Sequence, residues 1–414
     1  MKRRSQFLVL FASAVGLVLA VYCSLVVYLY LNRPADRAVV DGDLIVETMS
    51  VSDDENMYVA YIAMTNAIRS SNVDVLLGEL HKVVTRSYYQ GPTNSVSAFW
   101  SMNEIARKID NAIEDCGKRS KYKEVVSAVR DFDAFAKSCR DNALSTVELS
   151  VGACLCNMVY VEVARLALDE KVPESILRDL ADIIGNEPDY KALFDRCLKC
   201  EYSFWCKPGL SQLSQNADIS ELMSKVEHVV DPDGTGCLAP IVARILAHTP
   251  GYLRFSYSGD ASLQCVATVF REAQFDADRC GTDAVQIGVL EPNWYGRQIM
   301  LSICERSIKL ARRTLKSDAM SKRFARIIVA SQLYARRHGG QYPASLDMLV
   351  PEFIDAVPED PFDSKHEIKY DCADKMIWSV GEDCEYETPP SGRSRRCMRG
   401  FQRWARKIDG KPLM

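Results

Sequence analysis

The stretch that decides the fold runs from Arg323 to Asp383 and reads RFARIIVASQLYARRHGGQYPASLDMLVPEFIDAVPEDPFDSKHEIKYDCADKMIWSVGED. Its first part places apolar side chains at helical spacing, which predicts one long helix that ends before Gly339 and Gly340. Two short segments further on, 368–371 and 376–380, predict an antiparallel hairpin. Because a helix stripe and a sheet face each need an apolar partner, we expect the helix to cover the hairpin in a small α+β module.

The predicted core of this module combines the helix, the hairpin and the prolines that fix the turns between them. It comprises Tyr334, Tyr342, Pro343, Leu346, Leu349, Pro358, Asp360, Pro361, Trp378 and Gly381. Loss of the large Trp378 ring should therefore destabilise the module strongly. Truncation after Gly381 should be milder, because it would leave most of this core intact.

Five pieces of the stretch carry a family resemblance: YARRHG at 334–339, QYP at 341–343, VP at 357–358, DPFD at 360–363 and WSVG at 378–381. In this order and spacing they resemble the C-terminal globular domain of the major pseudopilin of bacterial type II secretion systems. The module also resembles the tail of a group of uncharacterised, membrane-anchored bacterial envelope proteins. The resemblance implies a pseudopilin-like fold over residues 316–386 and a place in the bacterial envelope, and it implies no reaction.

An apolar segment near the N-terminus predicts a membrane anchor. The run from Phe7 to Leu31 has no charged residue. As a helix, this run would be about 37 Å long, enough to cross the ~30 Å hydrocarbon core of a bilayer. A cleaved signal peptide would have a shorter apolar core with small residues at the cut. We therefore predict that residues 7–31 stay in the lipid bilayer as an uncleaved, single-pass anchor.

The charges that flank the apolar segment predict its orientation. Lys2, Arg3 and Arg4 precede it, whereas the residues just after it carry a weaker positive charge. An excess of Lys and Arg favours the cytoplasmic side of a membrane. We therefore expect residues 1–6 in the cytoplasm and residues 32–414 outside the inner or cytoplasmic membrane.

The predicted anchor differs from that of a true pseudopilin. Residues 7–31 contain no acidic residue, and no glycine-containing processing site precedes them, so only the globular module shares the family pattern. Ala12, Gly16, Ala20 and Ser24 recur every four positions. This spacing places the four small residues on one narrow face of a helix. Such a face could pair two anchors in a homo-oligomer, although small residues are common in membrane helices in general.

Between the anchor and the module the sequence predicts helices. After a polar linker over 32–50, a helical exterior domain is predicted over 51–315. Helical periodicity covers 56–88, 98–115, 120–138, 143–170, 173–184, 219–229, 238–249 and 296–316. The pattern at 147–168 is apolar almost all round, which indicates a buried helix. Segments 251–255 and 264–270 fit either short strands or buried helix, and the predicted fold class is mainly α with a small α+β module at the end.

A basic tail follows the module over residues 387–414. Residues 391–414 hold eight Lys or Arg and one acidic residue, Asp409, with Phe401 and Trp404 among the bases. This composition suits either a solvated extension or contact with an anionic membrane surface or envelope polymer. Nucleic-acid binding is disfavoured, because the chain has a net charge of −4 and the tail is predicted to lie outside the cytoplasm.

Cysteine usage fits an oxidising exterior, where disulfides form and persist. The chain has 15 cysteines, and the best candidate pair is Cys372 with Cys384, which flank the second strand of the hairpin. Cys197, Cys200 and Cys206 could form disulfides, ligate zinc or act as a redox pair. We favour disulfides, because no fourth ligand and no nearby histidine support a metal site.

One motif, VVDPDGTG at 229–236, supports an enzyme hypothesis. It resembles the first motif of haloacid-dehalogenase-like phosphatases. That resemblance implies that Asp231 accepts the phosphoryl group, that Asp233 acts as general acid and base, and that magnesium lies between them. The same residues could instead form a calcium loop or a plain turn, and the turn is the favoured interpretation.

The rest of the sequence favours binding over catalysis. It has no serine nucleophile elbow, no zinc-protease helix motif and no phosphate loop, and its five histidines are scattered. We therefore predict a non-catalytic binding or scaffold protein of the bacterial envelope, with an envelope protein as partner and no metal or other cofactor. The alternative is a magnesium-dependent phosphatase that uses Asp231 and Asp233.

Overall fold

The computed structural model describes residues 16–17, 19–24, 27–28, 31, 38–47, 51–67, 73–91, 96–208, 258–275, 294–381 and 405–408. Within these ranges the chain is mainly helical and carries two small antiparallel sheets, which confirms the predicted fold class at this level. The helices are α1 (Met57–Ala67), α2 (Val73–Val84), α3 (Val96–Lys118), α4 (Tyr122–Asp141), α5 (Thr146–Ala167), α6 (Glu174–Ile184), α7 (Tyr190–Glu201), α8 (Gly259–Phe275) and α9 (Trp294–Arg337). Short 3-10 helices lie at Gly42–Leu44 and Leu346–Leu349, and a π-helical turn, Tyr202–Cys206, follows α7.

The strands belong to the C-terminal part of the chain. They are β1 (Glu359–Asp360), β2 (Asp363–Glu367), β3 (Lys369–Asp371), β4 (Met376–Trp378) and β5 (Ala405–Lys407). β1 pairs with β2, and a second sheet has the order β3-β4-β5, with every pairing antiparallel. The β3–β4 pair confirms the predicted hairpin.

The chain forms two compact units. The first comprises Met1–Glu47 and Leu198–Lys309, and the second comprises Thr48–Cys197 and Leu310–Met414. In the second unit, buried residues from α1 to α6 and buried residues from α9 and the sheet belong to one hydrophobic core. The boundary predicted at residue 315 therefore separates segments that pack into a common core.

Helix α5 is largely buried within the second unit. Its N-terminus is capped by Ser145, whose hydroxyl accepts from the Glu148 N–H at 3.1 Å. Among the described residues, α5 alone is long and apolar enough to cross a membrane, yet 56% of its most apolar window is buried within the protein. It is a core helix, which confirms the buried helix predicted at 147–168.

Gly152 lets α5 approach α4 closely. A Cβ atom at this position would lie 2.4 Å from the backbone N of Arg140 and 2.5 Å from its Cα. Contacts this short are not possible for a side chain, so only glycine allows the two helix backbones to cross here. The close crossing brings the Arg140 side chain into the interior, where it is 2% exposed.

The C-terminal module packs around α9. Phe324, Ile327 and Ile328 are buried on its inner face, together with Trp378 of β4. After α9, Gly339 and Gly340 adopt φ angles of 62° and 89°, a left-handed conformation that suits glycine. The helix therefore ends where the sequence predicts.

The buried carboxylate of Asp360 connects turns of the module through hydrogen bonds. Its side chain is buried, and Oδ1 accepts from Ser379 Oγ at 2.8 Å and from Phe362 N at 2.9 Å. Oδ2 accepts from Val380 N at 2.9 Å. A buried carboxylate that accepts several hydrogen bonds is well satisfied. Among the other residues of the predicted core, Tyr334, Pro343, Leu346, Leu349, Trp378 and Gly381 are buried, while Tyr342, Pro358 and Pro361 are half-buried.

Part of the basic tail is a strand, which the sequence analysis did not predict. β5 pairs with β4, and the next residue, Ile408, is fully buried in the common core. The Gln332 side chain of α9 donates to the Ile408 carbonyl at 2.8 Å. The expectation that truncation after Gly381 leaves most of the core intact did not take into account β5 and the buried Ile408, both of which truncation removes.

In the first unit, residues of the predicted linker contact helices. The Tyr202 hydroxyl donates to Asp41 Oδ2 at 2.6 Å, and the Tyr202 ring packs edge to face against Phe270 at 6.2 Å. Arg271 forms an ion pair with Asp43. The linker predicted over 32–50 thus includes a segment that packs against α8.

Other sequence predictions have different outcomes. The strand alternative for 264–270 is wrong, because these residues lie within α8. Helix α7 was not predicted at all. The predicted helices at 219–229 and 238–249, and the segment at 251–255, lie outside the described residues.

Candidate binding groove

Two helices of the second unit, α5 and α9, run side by side in the same direction. Near one end, the hydroxyls of Ser150 and Thr314 are hydrogen-bonded at 3.1 Å. Beyond the other end of α5, the Arg336 guanidinium donates to the Val172 carbonyl. Both contacts join residues 164 positions apart in the sequence. The segment 150–172 therefore runs in the same direction as the segment 314–336 of α9.

A groove of 810 Å³ lies between these helices. This volume falls within the range of about 300 to 1,000 Å³ that is usual for ligand clefts. The groove stays open because small side chains face it from both helices. They include Ser150, Ala153, Ala164, Ser317, Ser321 and Ala325.

Apolar side chains form most of the remaining lining. Tyr160, Val161 and Leu168 contribute from α5 and the residue after it, while Phe324 and Ile328 contribute from α9. Val161 is 50% exposed and offers apolar surface to the groove, whereas Tyr160, Phe324 and Ile328 are buried. Burying such surface is the main source of binding energy at most protein interfaces.

The charged groups of the lining are three arginines and one aspartate: Arg165, Arg313, Arg406 and Asp318. The aspartate side chain is fully buried and pairs with Arg140 at 2.8 Å, so it presents no charge to the surface. Arg165 is bonded to Glu162 on the same helix. Arg313 and Arg406 also make interactions within the chain, so every charged group of the lining has a partner in the protein.

A buried ionic network lies behind the groove. Asp318 accepts from Arg140 Nη1 at 2.8 Å and from the Tyr190 hydroxyl at 3.1 Å. Burial raises the pKa of the Asp318 carboxyl, and the adjacent Arg140 acts in the opposite direction. Nearby, Lys322 donates to the Asn186 carbonyl, and burial lowers the pKa of Lys322 to about 8. These charges hold helices together and do not face solvent.

Two polar atoms on the floor of the groove have no hydrogen-bond partner in the described part of the chain: the Tyr160 hydroxyl and Asp318 Oδ1. Both residues line the groove and are almost fully buried. Buried polar groups are normally satisfied. Neither atom is exposed to solvent, so both lie beneath the surface of the groove floor.

Cys154 is an exposed thiol in the groove lining. Partial burial raises the pKa of this thiol, although Arg107 acts in the opposite direction. A raised pKa reduces the fraction of reactive thiolate at neutral pH. Cys154 is therefore better suited to report on groove occupancy than to act as a nucleophile.

The candidate site residues from the sequence lie elsewhere. Asp231 and Asp233 are outside the described residues, and so is Cys384. Cys372 is exposed. Cys197, Cys200 and Cys206 are buried, and no two cysteines of the described ranges lie at disulfide distance. Within the same ranges, no group of three or more His, Cys, Asp or Glu side chains is placed to hold a metal ion.

Sequence reasoning missed the groove for a physical reason. The periodicity of α5 identifies a buried helix but does not show which side is left uncovered. Small residues such as Ser317 and Ser321 suit both a tight helix contact and an open cleft, and only the packing of the two helices distinguishes these.

Comparisons with protein-family models, with curated proteins and with solved structures find no significant match for this chain.

Proposed function

We propose that this chain is a membrane-anchored binding or scaffold protein of the bacterial envelope, with its folded part outside the cytoplasm. Residues 7–31 hold it in the bilayer, and the groove between α5 and α9 receives an envelope protein partner. The C-terminal module is the part related to type II secretion pseudopilins. The basic residues of 391–414 offer a further contact for an anionic surface, and pairing of the anchors would give a homo-oligomer.

Exposed apolar side chains carry the anchor part of this proposal. The described residues between 16 and 31 are helical, and Leu31 is 73% exposed. The other exposed large apolar residues here are Leu17, Leu19, Val21, Val27 and Tyr28. A helix that exposes this much apolar surface is stable in lipid and costly in water.

The form of the groove supports the binding part. It combines exposed apolar surface with four charged side chains, all of which are engaged within the chain. Interfaces commonly place apolar surface at the centre and charged groups at the rim. The groove therefore suits recognition of a partner.

Reporter fusions test the proposed topology. A phosphatase reporter that folds only outside the cytoplasm, fused after Met414, is expected to be active in cells. A fluorescent protein that matures only in the cytoplasm is expected to be dark at the same position. The matched control deletes residues 7–31, which should reverse both results. Activity of the cytoplasmic reporter on the full chain would overturn the proposal.

A second assay addresses the phosphatase alternative. The full chain, purified in detergent, is incubated with a generic phosphate ester and magnesium, beside Asp231→Asn. We expect no turnover above background for either protein. Magnesium-dependent hydrolysis that Asp231→Asn abolishes would replace the binding proposal.

A further inference from the structure

We propose that the partner at this face of the protein is a second copy of the chain, and that the α5 helices of the two copies pack antiparallel along an exposed apolar stripe. This inference rests on the proposed binding function and names the partner. The stripe consists of Val147, Val151, Cys154, Met158 and Val161. It follows the outer side of α5 and borders the groove at Cys154 and Val161.

The stripe is the outward-facing side of a helix that is otherwise largely buried. Val147 and Val161, at its two ends, are 45% and 50% exposed, and the Cys154 thiol between them is exposed. Val151 and Met158 fill the intervals and are half-buried. Single apolar residues on a surface need no explanation, whereas a continuous apolar surface marks an interaction site.

The spacing of the stripe is that of a helix–helix contact. Successive members are four, three, four and three residues apart, which is the 3.5-residue repeat of a coiled-coil seam. On an α-helix with 3.6 residues per turn, the five positions fall within a sector of about 80°. A second helix can therefore follow the stripe along its whole length of about 21 Å.

The stripe is nearly symmetrical about Cys154. Val147 and Val161 lie seven residues before and after it, while Val151 lies three residues before and Met158 four residues after. In an antiparallel pair, Val147 of each copy would therefore face Val161 of the other, and the two Cys154 thiols would meet at the symmetry axis. A two-fold dimer needs a surface of this kind, one that complements itself.

Charge sets the direction of the pairing. None of the five stripe residues is charged, so the stripe does not repel a copy of itself. One turn beyond Val161 the line continues with Arg165, whose side chain is 43% exposed. Parallel packing would bring the two Arg165 side chains together. Antiparallel packing about Cys154 places their positions about 33 Å apart, which is several Debye lengths at physiological salt.

The size of the contact indicates a weak dimer. A single pair of helices in contact over about 21 Å buries less surface than the roughly 1,600 Å² of a standard interface. Anchoring of both copies in one membrane would raise their effective concentration to the millimolar range, as a short tether does. We therefore expect the pairing in membranes and in concentrated detergent solutions.

Cysteine crosslinking tests the proposal on the full chain in membranes of the expressing cells. Diamide oxidises two neighbouring thiols to a disulfide and is itself reduced to the hydrazine. We expect a covalent dimer in which two peptides that contain Cys154 are linked. Cys154→Ser should remove this species, whereas Cys372→Ser, which alters another exposed cysteine, should keep it. Gly16→Leu alters the small-residue face of the predicted anchor and should also keep the link.

Charged variants at the two ends of the stripe test its direction. Val147→Lys combined with Val161→Lys places like charges opposite each other and should weaken pairing by about tenfold or more, which corresponds to about 1.4 kcal/mol. Val147→Glu combined with Val161→Lys places opposite charges across an antiparallel pair and should keep the Cys154 link within about twofold of wild type. In a parallel pair the same variant would repel itself.

Two exposed valines outside the stripe provide the matched control. Val59 on α1 and Val75 on α2 are 37% and 51% exposed. Val59→Lys combined with Val75→Lys makes the same change of charge and should leave the Cys154 link unchanged. All substituted valines are exposed, so each variant should melt close to the wild-type temperature. Sedimentation of the full chain in detergent measures the dimer independently of the crosslink.

Four outcomes would overturn the inference. The first is a chain that stays monomeric at every concentration, and the second is a dimer without the Cys154 link. The third is a link that forms equally in all the charged variants, which would indicate random collision. The fourth is protection of Cys154 from a maleimide by phosphatidylglycerol vesicles and not by a higher concentration of the chain, which would make the occupant a lipid. None of these results bears on topology, so a failure here is distinct from a failure of the proposed function.

Discussion

Arg140 and Asp318 form a fully buried ion pair that joins α4 to α9, with Nη1 donating to Oδ2 at 2.8 Å. Their side chains are 1% and 0% exposed. The two residues are 178 positions apart in the sequence, so the pair ties the helix of the C-terminal module to the helices of the exterior body. Gly152 makes the pair possible, because it lets α5 pass directly over the backbone of Arg140.

Asp318→Asn should destabilise the chain by about 3–5 kcal/mol, because it leaves a guanidinium buried without its main counter-charge. Urea denaturation followed by tryptophan fluorescence measures the loss. Asp355→Asn is the matched control. Asp355 is 86% exposed and pairs with Arg326 on the same helix as Asp318, and this variant should cost less than about 1 kcal/mol. Equal losses in the two variants would show that burial of the pair does not matter.

Gly152→Ala should destabilise the chain by about 1–3 kcal/mol or more, because the added methyl group overlaps the backbone of Arg140. Gly78→Ala is the control within a helix. A Cβ at Gly78 meets nothing within 4 Å, and alanine has the higher helix propensity, so this change should stabilise by up to about 1 kcal/mol. Thermal melts of both variants should show changes in stability of opposite sign. Tolerance of Gly152→Ala would contradict the close crossing of α4 and α5.

Whether a helix could be predicted from the sequence depends on how that helix is stabilised. α5 and α6 carry enough apolar residues at helical spacing to be predicted from the sequence. The segment 264–270 in α8 is different, because the apolar run around Val266 and Val269 suits a short strand as well as a buried helix. Burial of Phe270 and the packing around it decide in favour of the helix.

The strand β5 could not be predicted from local sequence. The strand is short, Ala405–Lys407. Its residues are mostly basic and show no alternation of apolar and polar side chains. The strand forms because its backbone pairs with β4 and because Ile408 enters the core. Such pairing depends on residues distant in sequence, which propensity does not capture. The groove could not be predicted for a similar reason, since it depends on which faces of α5 and α9 remain uncovered.

Lys322 should give the chain a specific dependence on alkaline pH. Burial, together with the positive charges of Lys137 and Arg140, lowers its pKa from 10.5 to about 8, although Asp133 and Asp318 act in the opposite direction. Between these two pH values the unfolded chain binds more protons than the folded chain. The contribution of Lys322 to stability therefore rises with pH across this window.

The comparison of wild type with Lys322→Met isolates this contribution. The difference in unfolding free energy between the two proteins should shift in favour of the wild type as the pH rises from 8 to 10. Urea titrations at each pH measure it. Lys108→Met removes an exposed lysine and should show no such shift. A constant difference between wild type and Lys322→Met across this range would contradict the lowered pKa.

Truncation after Gly381 should destabilise the second unit at least as much as Ile408→Ala. Ile408 is fully buried, so Ile408→Ala should cost about 2–5 kcal/mol through the cavity that it leaves. Truncation removes the same side chain, the whole of β5 and the hydrogen bond from Gln332. Trp378→Ala removes a ring that is 6% exposed and should cost about 3–5 kcal/mol.

Truncation after Asp409 is the control, because it shortens the chain and keeps both β5 and Ile408. Urea denaturation of the full chain and of these four variants gives the order of stability. We expect the chain that ends at Asp409 to match the wild type, and the chain that ends at Gly381 to be less stable by several kcal/mol, since it exposes the edge of β4 and a gap in the core. Equal stability of the two truncated chains would mean that β5 adds nothing to the fold, and the module would then end with β4, as the sequence alone predicts.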